Sequence, residues 1–172
     1  MKKIILVLLF ALILSVSAFA HPGGWGIGIV GQYNLAWDGF EGARGVALSL
    51  KTPGIPIFWG INADFRQDGF GVSLTGDRYL YFVRGRTTGL YMGIGAYAGV
   101  VSVSRDPIEW TSARVGGRIP IGLYIFPISF FEFFVSVVPS LGVGIYFGDH
   151  PDRFHFPEGG LGMDIGIRFW LR

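Results

Sequence analysis

The sequence predicts an all-β fold, an eight-stranded antiparallel up-and-down transmembrane β-barrel. Three observations lead there. The first is the stretch Gly160-Leu161-Gly162-Met163-Asp164-Ile165-Gly166-Ile167-Arg168-Phe169-Trp170-Leu171, in which every odd position is large and apolar. The even positions are Gly, Asp or Arg until Trp170 closes the series. A strict period of two belongs to a strand with two unlike faces. In a small membrane barrel the bulky face turns to lipid and the small or charged face lines the interior. The second observation is the start of the chain. Lys2 and Lys3, the apolar run Ile4 to Val16 and the small residues of Ala18-Phe19-Ala20 read as a secretory signal peptide over 1–20, cleaved before His21. The third is composition: 172 residues with 28 glycines, 16% aromatics and no cysteine.

Without the leader, residues 21–172 form one expected barrel domain. Its basic and acidic residues balance, because the excess of 14 over 12 lies in Lys2 and Lys3. Nucleic-acid binding therefore finds no support in the charge. An exported chain without cysteine has no disulfide scaffold, so hydrogen bonding, packing or the bilayer must hold it.

Alternation gives eight strands in order. Strand one is 25–33, with Trp25, Ile27 and Ile29 opposite glycines. Strand two is 44–51, with Val46, Leu48 and Leu50 on one face. Strand three, 57–66, sets Ile57, Trp59, Ile61, Ala63 and Phe65 opposite Asn62, Asp64 and Arg66. Strand four, 70–83, sets Phe70, Val72 and Leu74 opposite Ser73, Thr75 and Asp77. Strand five, 90–101, sets Met92, Ile94, Ala96 and Ala98 opposite Tyr91, Gly93, Gly95 and Tyr97. Strand six, 113–125, sets Ile119, Ile121 and Leu123 opposite Arg118, Pro120 and Gly122. Strand seven is 130–147 and strand eight 160–171. Most are near the ~9–11 residues that cross a bilayer as a tilted strand.

The connections fit this count. Gln67-Asp68-Gly69 is a tight hairpin signal. The segments 51–56, 84–89 and 126–129 read as short turns, and 34–43, 102–112 and 148–159 as longer loops. Short periplasmic turns and longer outer loops are the rule for these barrels. The main rival is a transmembrane helix within Ile119 to Phe147, which is strongly apolar with Glu132 as its one charge. Pro120, Pro127 and Pro139 oppose it, since a helix breaks at an interior proline. Pro139 is awkward for a barrel too, which has no edge to hide it, and predicts a bulge or local irregularity.

With the crowded face outward, the lumen receives Asp64, Arg66, Asp77, Arg118, Glu132, Asp164 and Arg168. An eight-stranded barrel is just wide enough for side chains to fill it, so these charges must pair. The expected result is a salt-bridge plug; a gated polar path is the alternative. Asp149, His150, Asp152 and His155 share a loop, but their spacing matches no recognised metal site, and neither a metal nor a cofactor is expected. Trp25, Tyr33, Trp59, Trp110, Tyr146 and Trp170 are candidates for interfacial aromatic girdles. There is no G-x-S-x-G and no P-loop.

Several segments carry a family resemblance: Trp59-Gly60-Ile61-Asn62-Ala63-Asp64-Phe65, Gly76-Asp77-Arg78-Tyr79-Leu80, Gly93-Ile94-Gly95-Ala96-Tyr97, Arg118-Ile119-Pro120-Ile121-Gly122-Leu123, Phe131-Glu132-Phe133-Phe134, Val138-Pro139-Ser140-Leu141-Gly142-Val143 and Gly166-Ile167-Arg168-Phe169-Trp170. Over nearly the whole mature chain it resembles a group of small exported barrels known from spirochaetes, without established activity and similar to the OmpA, OmpX and OmpW transmembrane barrels. The resemblance implies an outer-membrane location and the lipid bilayer and the outer-membrane assembly machinery as partners. It departs from the usual aromatic terminus, with Leu171-Arg172 following Phe169-Trp170.

The expected function is a non-enzymatic outer-membrane barrel with a largely plugged lumen, whose outer loops contact a host or other extracellular surface. Three alternatives stand beside it. One is an OmpW-like conduit for small apolar solutes. Another is a lipid-modifying barrel enzyme using His150 or His155. The last is a soluble periplasmic barrel with a greasy interior.

Overall fold

The structure is a computed structural model that describes residues 24–36, 43–85, 87–105, 108–148 and 153–171. Its strands are β1 (Trp25–Ala36), β2 (Ala43–Lys51), β3 (Phe58–Arg66), β4 (Gly69–Arg84), β5 (Thr88–Arg105), β6 (Ile108–Arg118), β7 (Ile121–Ile128), β8 (Phe131–Gly148) and β9 (Phe154–Leu171). Neighbouring strands are antiparallel, and β1 pairs β9 from Trp25↔Leu171 to Ala36↔Gly160, which closes the ring. We call the end where β1 starts and β9 finishes the lower end, and the other the upper.

Nine strands fill eight places. β6 and β7 both pair with β5 and with β8, and the register carries across from one to the other on each side. Two prolines cause the nick between them. Pro120 lies opposite Gly93 and can only accept there, from Gly93 N at 2.6 Å. Pro139 lies opposite Ile119 and accepts from Ile119 N at 2.9 Å. Each proline lacks the N–H that would complete its rung. The irregularity expected at Pro139 thus falls on the facing strand. Pro139 itself pairs in register with Leu161, and the shift in β8 comes later, between Gly142 and Gly144. The apolar run Ile119 to Phe147 is two antiparallel strands rather than a helix.

The expected contrast between short turns and long loops does not hold. Residues 102–105 and 108–112 are strand, with Ser102↔Thr111 and Ser104↔Glu109 in register. The Ser102 and Thr111 hydroxyls lie 3.2 Å apart, and Ser104 Oγ donates to Glu109 Oε1 at 2.9 Å. The last strand likewise starts well before Gly160, at Phe154, with Gly159 at φ 121° where a side chain would be strained. β1 runs on to Ala36 and β2 starts at Ala43, so both ends of the expected loop 34–43 are strand; residues 37–42 lie outside the described residues. Polar residues alternating at the strand ends have the composition of a loop but the pairing of a sheet.

Burial is inverted relative to a soluble domain. Ile29, Val46, Ile61, Val72, Ile94, Val115, Leu141 and Ile165, one from each place in the ring, are all exposed. Asp64, Asp77, Glu132, Asp164 and Arg168 are buried.

Candidate functional site

The alternation of each strand sends its small and polar residues into the lumen, and all seven charged residues named above lie on inward faces. Among the described residues their direct contacts fall into separate groups. Arg168 and Glu132 face each other across β9 and β8 at the lower end. Arg168 Nη1 donates to Glu132 Oε2 at 2.8 Å, and Trp170 Nε1 donates to the same oxygen at 2.8 Å. Arg168 Nη2 donates to Ser49 Oγ at 3.0 Å on the far side of β1. It can cross because Gly28 stands between, where a Cβ would lie 2.9 Å from Arg168 Cα. The guanidinium also sits 4.6 Å from the ring centres of both Phe58 and Phe134. Such contacts add roughly 0.5–2 kcal/mol each when desolvated. Phe58, Tyr79 and Tyr91 stack in sequence, and Phe126 bridges Tyr124 to Trp170. Arg168 is 1% exposed and Glu132 2%, so this end of the lumen is filled.

One level up, Arg118 from β6 binds two carboxylates. Its Nη2 donates to Asp164 Oδ2 at 2.9 Å, and its Nε lies 3.2 Å from Asp77 Oδ1. The second contact is a charge pair without hydrogen-bond alignment. It passes over Gly95, whose Cβ would collide with Asp77 Oδ1. Gln32 Nε2 donates to Asp164 Oδ1 at 3.2 Å.

The upper lumen is less completely filled by the described residues. A cavity of about 150 Å³ is lined by Asn62, Asp64, Arg66, Tyr97, Arg114 and Glu158 among others. Arg114 Nη1 donates to Glu158 Oε1 at 2.9 Å, and Tyr146 OH donates to Glu158 Oε2 at 3.1 Å. Asp64 and Arg66 make neither an ion pair nor a side-chain hydrogen bond among the described residues. The shielded Arg66 Nε, Asn62 Oδ1 and Tyr97 OH have no hydrogen-bond partner among them either.

Arg114, Glu158, Gln32, Ser49 and Trp170 join the lumen contacts without having been expected there. Arg114 is legible in the sequence, since it shares the parity of Arg118 on one strand. Glu158 is hidden by its place in a segment with loop composition. The six candidate girdle aromatics divide. Trp25, Tyr33 and Trp59 are exposed on the outer wall. Trp170 is buried in the lumen, and Trp110 and Tyr146 are half-buried on inward positions, their rings 5.1 Å apart. They cannot belong to an outer girdle, because parity points them inward. His155 lies edge-on to Tyr146 at 6.2 Å. Asp149, His150 and Asp152 lie outside the described residues. Among the described residues no group of three or more His, Cys, Asp or Glu side chains is placed to hold a metal ion.

No protein-family model matches the chain, and no curated protein sequence matches it. Solved structures do resemble it. Neisserial surface protein A superposes with a TM-score of 0.60 at 8% identity, over 89% of this chain and 100% of that one. Ail, the attachment invasion locus protein of Yersinia pestis, gives 0.49 at 18% identity, over 85% and 99%. A major outer membrane protein from Thermus thermophilus gives 0.44 at 13%, over 86% and 98%. The first likeness shows the fold alone, a small closed antiparallel β-barrel.

Proposed function

We propose that this chain is an integral outer-membrane barrel that conducts nothing, serves no enzymatic reaction and presents its upper end to the surroundings. The observation that carries the reading is the inverted burial. Large apolar side chains cover all eight outer walls while the charges lie inside. A soluble monomer rarely exposes an apolar patch above ~300–600 Å², and a continuous belt around the molecule suits the hydrocarbon of a bilayer. The paired and stacked lower lumen supports a sealed interior. Opening it would separate Arg168 from Glu132 and leave two buried charges unpaired, a cost of about 3–5 kcal/mol. The bilayer is then the main partner, the outer-membrane assembly machinery inserts the barrel, and contact with a host or other extracellular surface falls to the upper end.

Fractionation of cells expressing the full chain, gel migration with and without heating, and planar-bilayer recording test this. The expected outcome is a detergent-requiring outer-membrane protein with a heat-modifiable band and a silent bilayer. Release without detergent would overturn the location. Steady unitary currents would replace the sealed anchor with the conduit.

A further inference from the structure

We propose that the upper vestibule binds a small zwitterion, an ammonium and a carboxylate one carbon apart, on the β3 residues Asp64 and Arg66. These two occupy successive inward positions of one strand, spaced by roughly 6.6 Å. They present an anion and a cation to the same cavity. Asn62, one inward position below, spends both Nδ2 hydrogens on Gly60 O at 3.3 Å and Ser73 O at 3.1 Å, and its Oδ1 is enclosed. Asp64 is 9% exposed and lines the cavity. It accepts no side-chain hydrogen bond and pairs with no cation among the described residues. Arg66 lines the same cavity with its Nε shielded and unpartnered.

Three other carboxylates of the lumen are hydrogen-bonded, while among the described residues Asp77 is met only by its charge pair with Arg118. Glu158 beside the same cavity is satisfied on both oxygens by Arg114 and Tyr146. Asp164 is satisfied by Arg118 and Gln32. Glu132 is satisfied by Arg168 and Trp170. Asp64 and Arg66 are near neighbours of opposite sign, yet they form no ion pair with each other. Asp64 is buried and Arg66 half-buried, and charge shielded from water without a partner is costly. A single ion would settle one of the two and leave the other. A zwitterion settles both: its ammonium donates to Asp64, and its carboxylate accepts from Arg66. The cavity of about 150 Å³ has the volume that holds a molecule of roughly six heavy atoms, the size of L-alanine. Below it a smaller cavity of about 30 Å³ lies beside Arg168.

The site needs the barrel but neither the membrane location nor the closed lumen, so it is tested by equilibrium binding. L-alanine is titrated calorimetrically into the full chain folded in detergent micelles. Saturable one-to-one binding is expected. Acetate, methylammonium and N-acetyl-L-alanine, each lacking one of the two charges, should fail to displace it. Asp64→Asn and Arg66→Gln, once their folding is confirmed by heat-modifiable migration, should each weaken binding by at least about tenfold. Glu109→Gln, on the outer wall, should leave it unchanged. The proposal falls if L-alanine gives no saturable heat, if acetate or methylammonium competes equally, or if a folded Asp64 or Arg66 variant binds like the parent. Should these variants fail to fold, the three analogues on the unaltered chain decide.

Discussion

The two ends of the lumen are built from the same strands by the same alternation, and they have been finished in opposite ways. At the lower end the charges meet their counterparts and aromatic rings occupy the space between. Arg168 alone touches Glu132, Ser49, Phe58 and Phe134. At the upper end Arg114 and Glu158 are paired, but Asp64 and Arg66, across the lumen on β3, form no ion pair among the described residues. The cavity lies there. Pairing, rather than charge content, separates plug from pocket. A barrel of eight strands leaves room for either, and the difference comes from whether bulky side chains lean across the inward glycines. Gly28 and Gly95 admit Arg168 and Asp77, and Gly166 admits the Phe134 ring, which a Cβ there would meet at 2.5 Å.

The largest effect should come from breaking the lower end. Arg168→Met leaves the Glu132 carboxylate buried without its cation, and should cost about 3–5 kcal/mol. Urea-induced unfolding in micelles, followed by heat-modifiable migration, reads this directly. Glu132→Leu together with Arg168→Met should recover most of the loss, because replacing both members of a buried pair by apolar groups is often neutral. If the double variant is no better than Arg168→Met, the stacked rings rather than the ion pair hold this end.

A smaller effect of opposite sense should come from the upper end. Asp64→Asn removes a buried charge without removing a partner, so no hydrogen bond is lost and a desolvation cost disappears. Stability in the same urea assay should stay level or rise. A loss approaching that of Arg168→Met would mean that Asp64 is paired in the folded protein and that the two ends are not finished differently.

What the sequence makes legible follows the period of two. Parity alone assigns Ile29, Val72 and Ile165 outward and Asp64, Glu132 and Arg168 inward, and those assignments need no knowledge of neighbours. It also places Trp170 with Arg168 on the inward face, where residue type alone suggests an interfacial girdle. Which charge meets which is not legible. Arg168 reaches Ser49 across 119 residues of sequence, and that contact depends on strand stagger and on Gly28 standing between. Pro139 shows the same limit. Its missing N–H is plain from the sequence, but the place where the ladder breaks depends on Pro120 in the adjacent strand.

The smallest expected effect concerns the hairpin that sequence composition conceals. Ser102, Ser104, Glu109 and Thr111 are polar, and a polar run with Asp106-Pro107 at its centre has the look of a surface loop. Backbone pairing nonetheless runs to Arg105↔Ile108, and Ser104 N donates to Asp68 O at 2.9 Å across the neighbouring hairpin. Pairing persists here among polar side chains, which fits a ladder standing clear of an apolar belt, held mainly by backbone bonds. Glu109→Gln keeps an acceptor for the exposed Ser104 hydroxyl and removes only the charge, and should change stability by no more than about 0.5 kcal/mol. Amide hydrogen exchange gives the sharper reading: Val103 and Ser104 should exchange more slowly than a solvated loop but faster than Tyr97 or Gly99 deeper in the same strand. Exchange of Val103 and Ser104 at the rate of an unstructured peptide would return this segment to a loop. Exchange as slow as that of Tyr97 would extend the rigid barrel, with its upper pocket, to the tip of the hairpin.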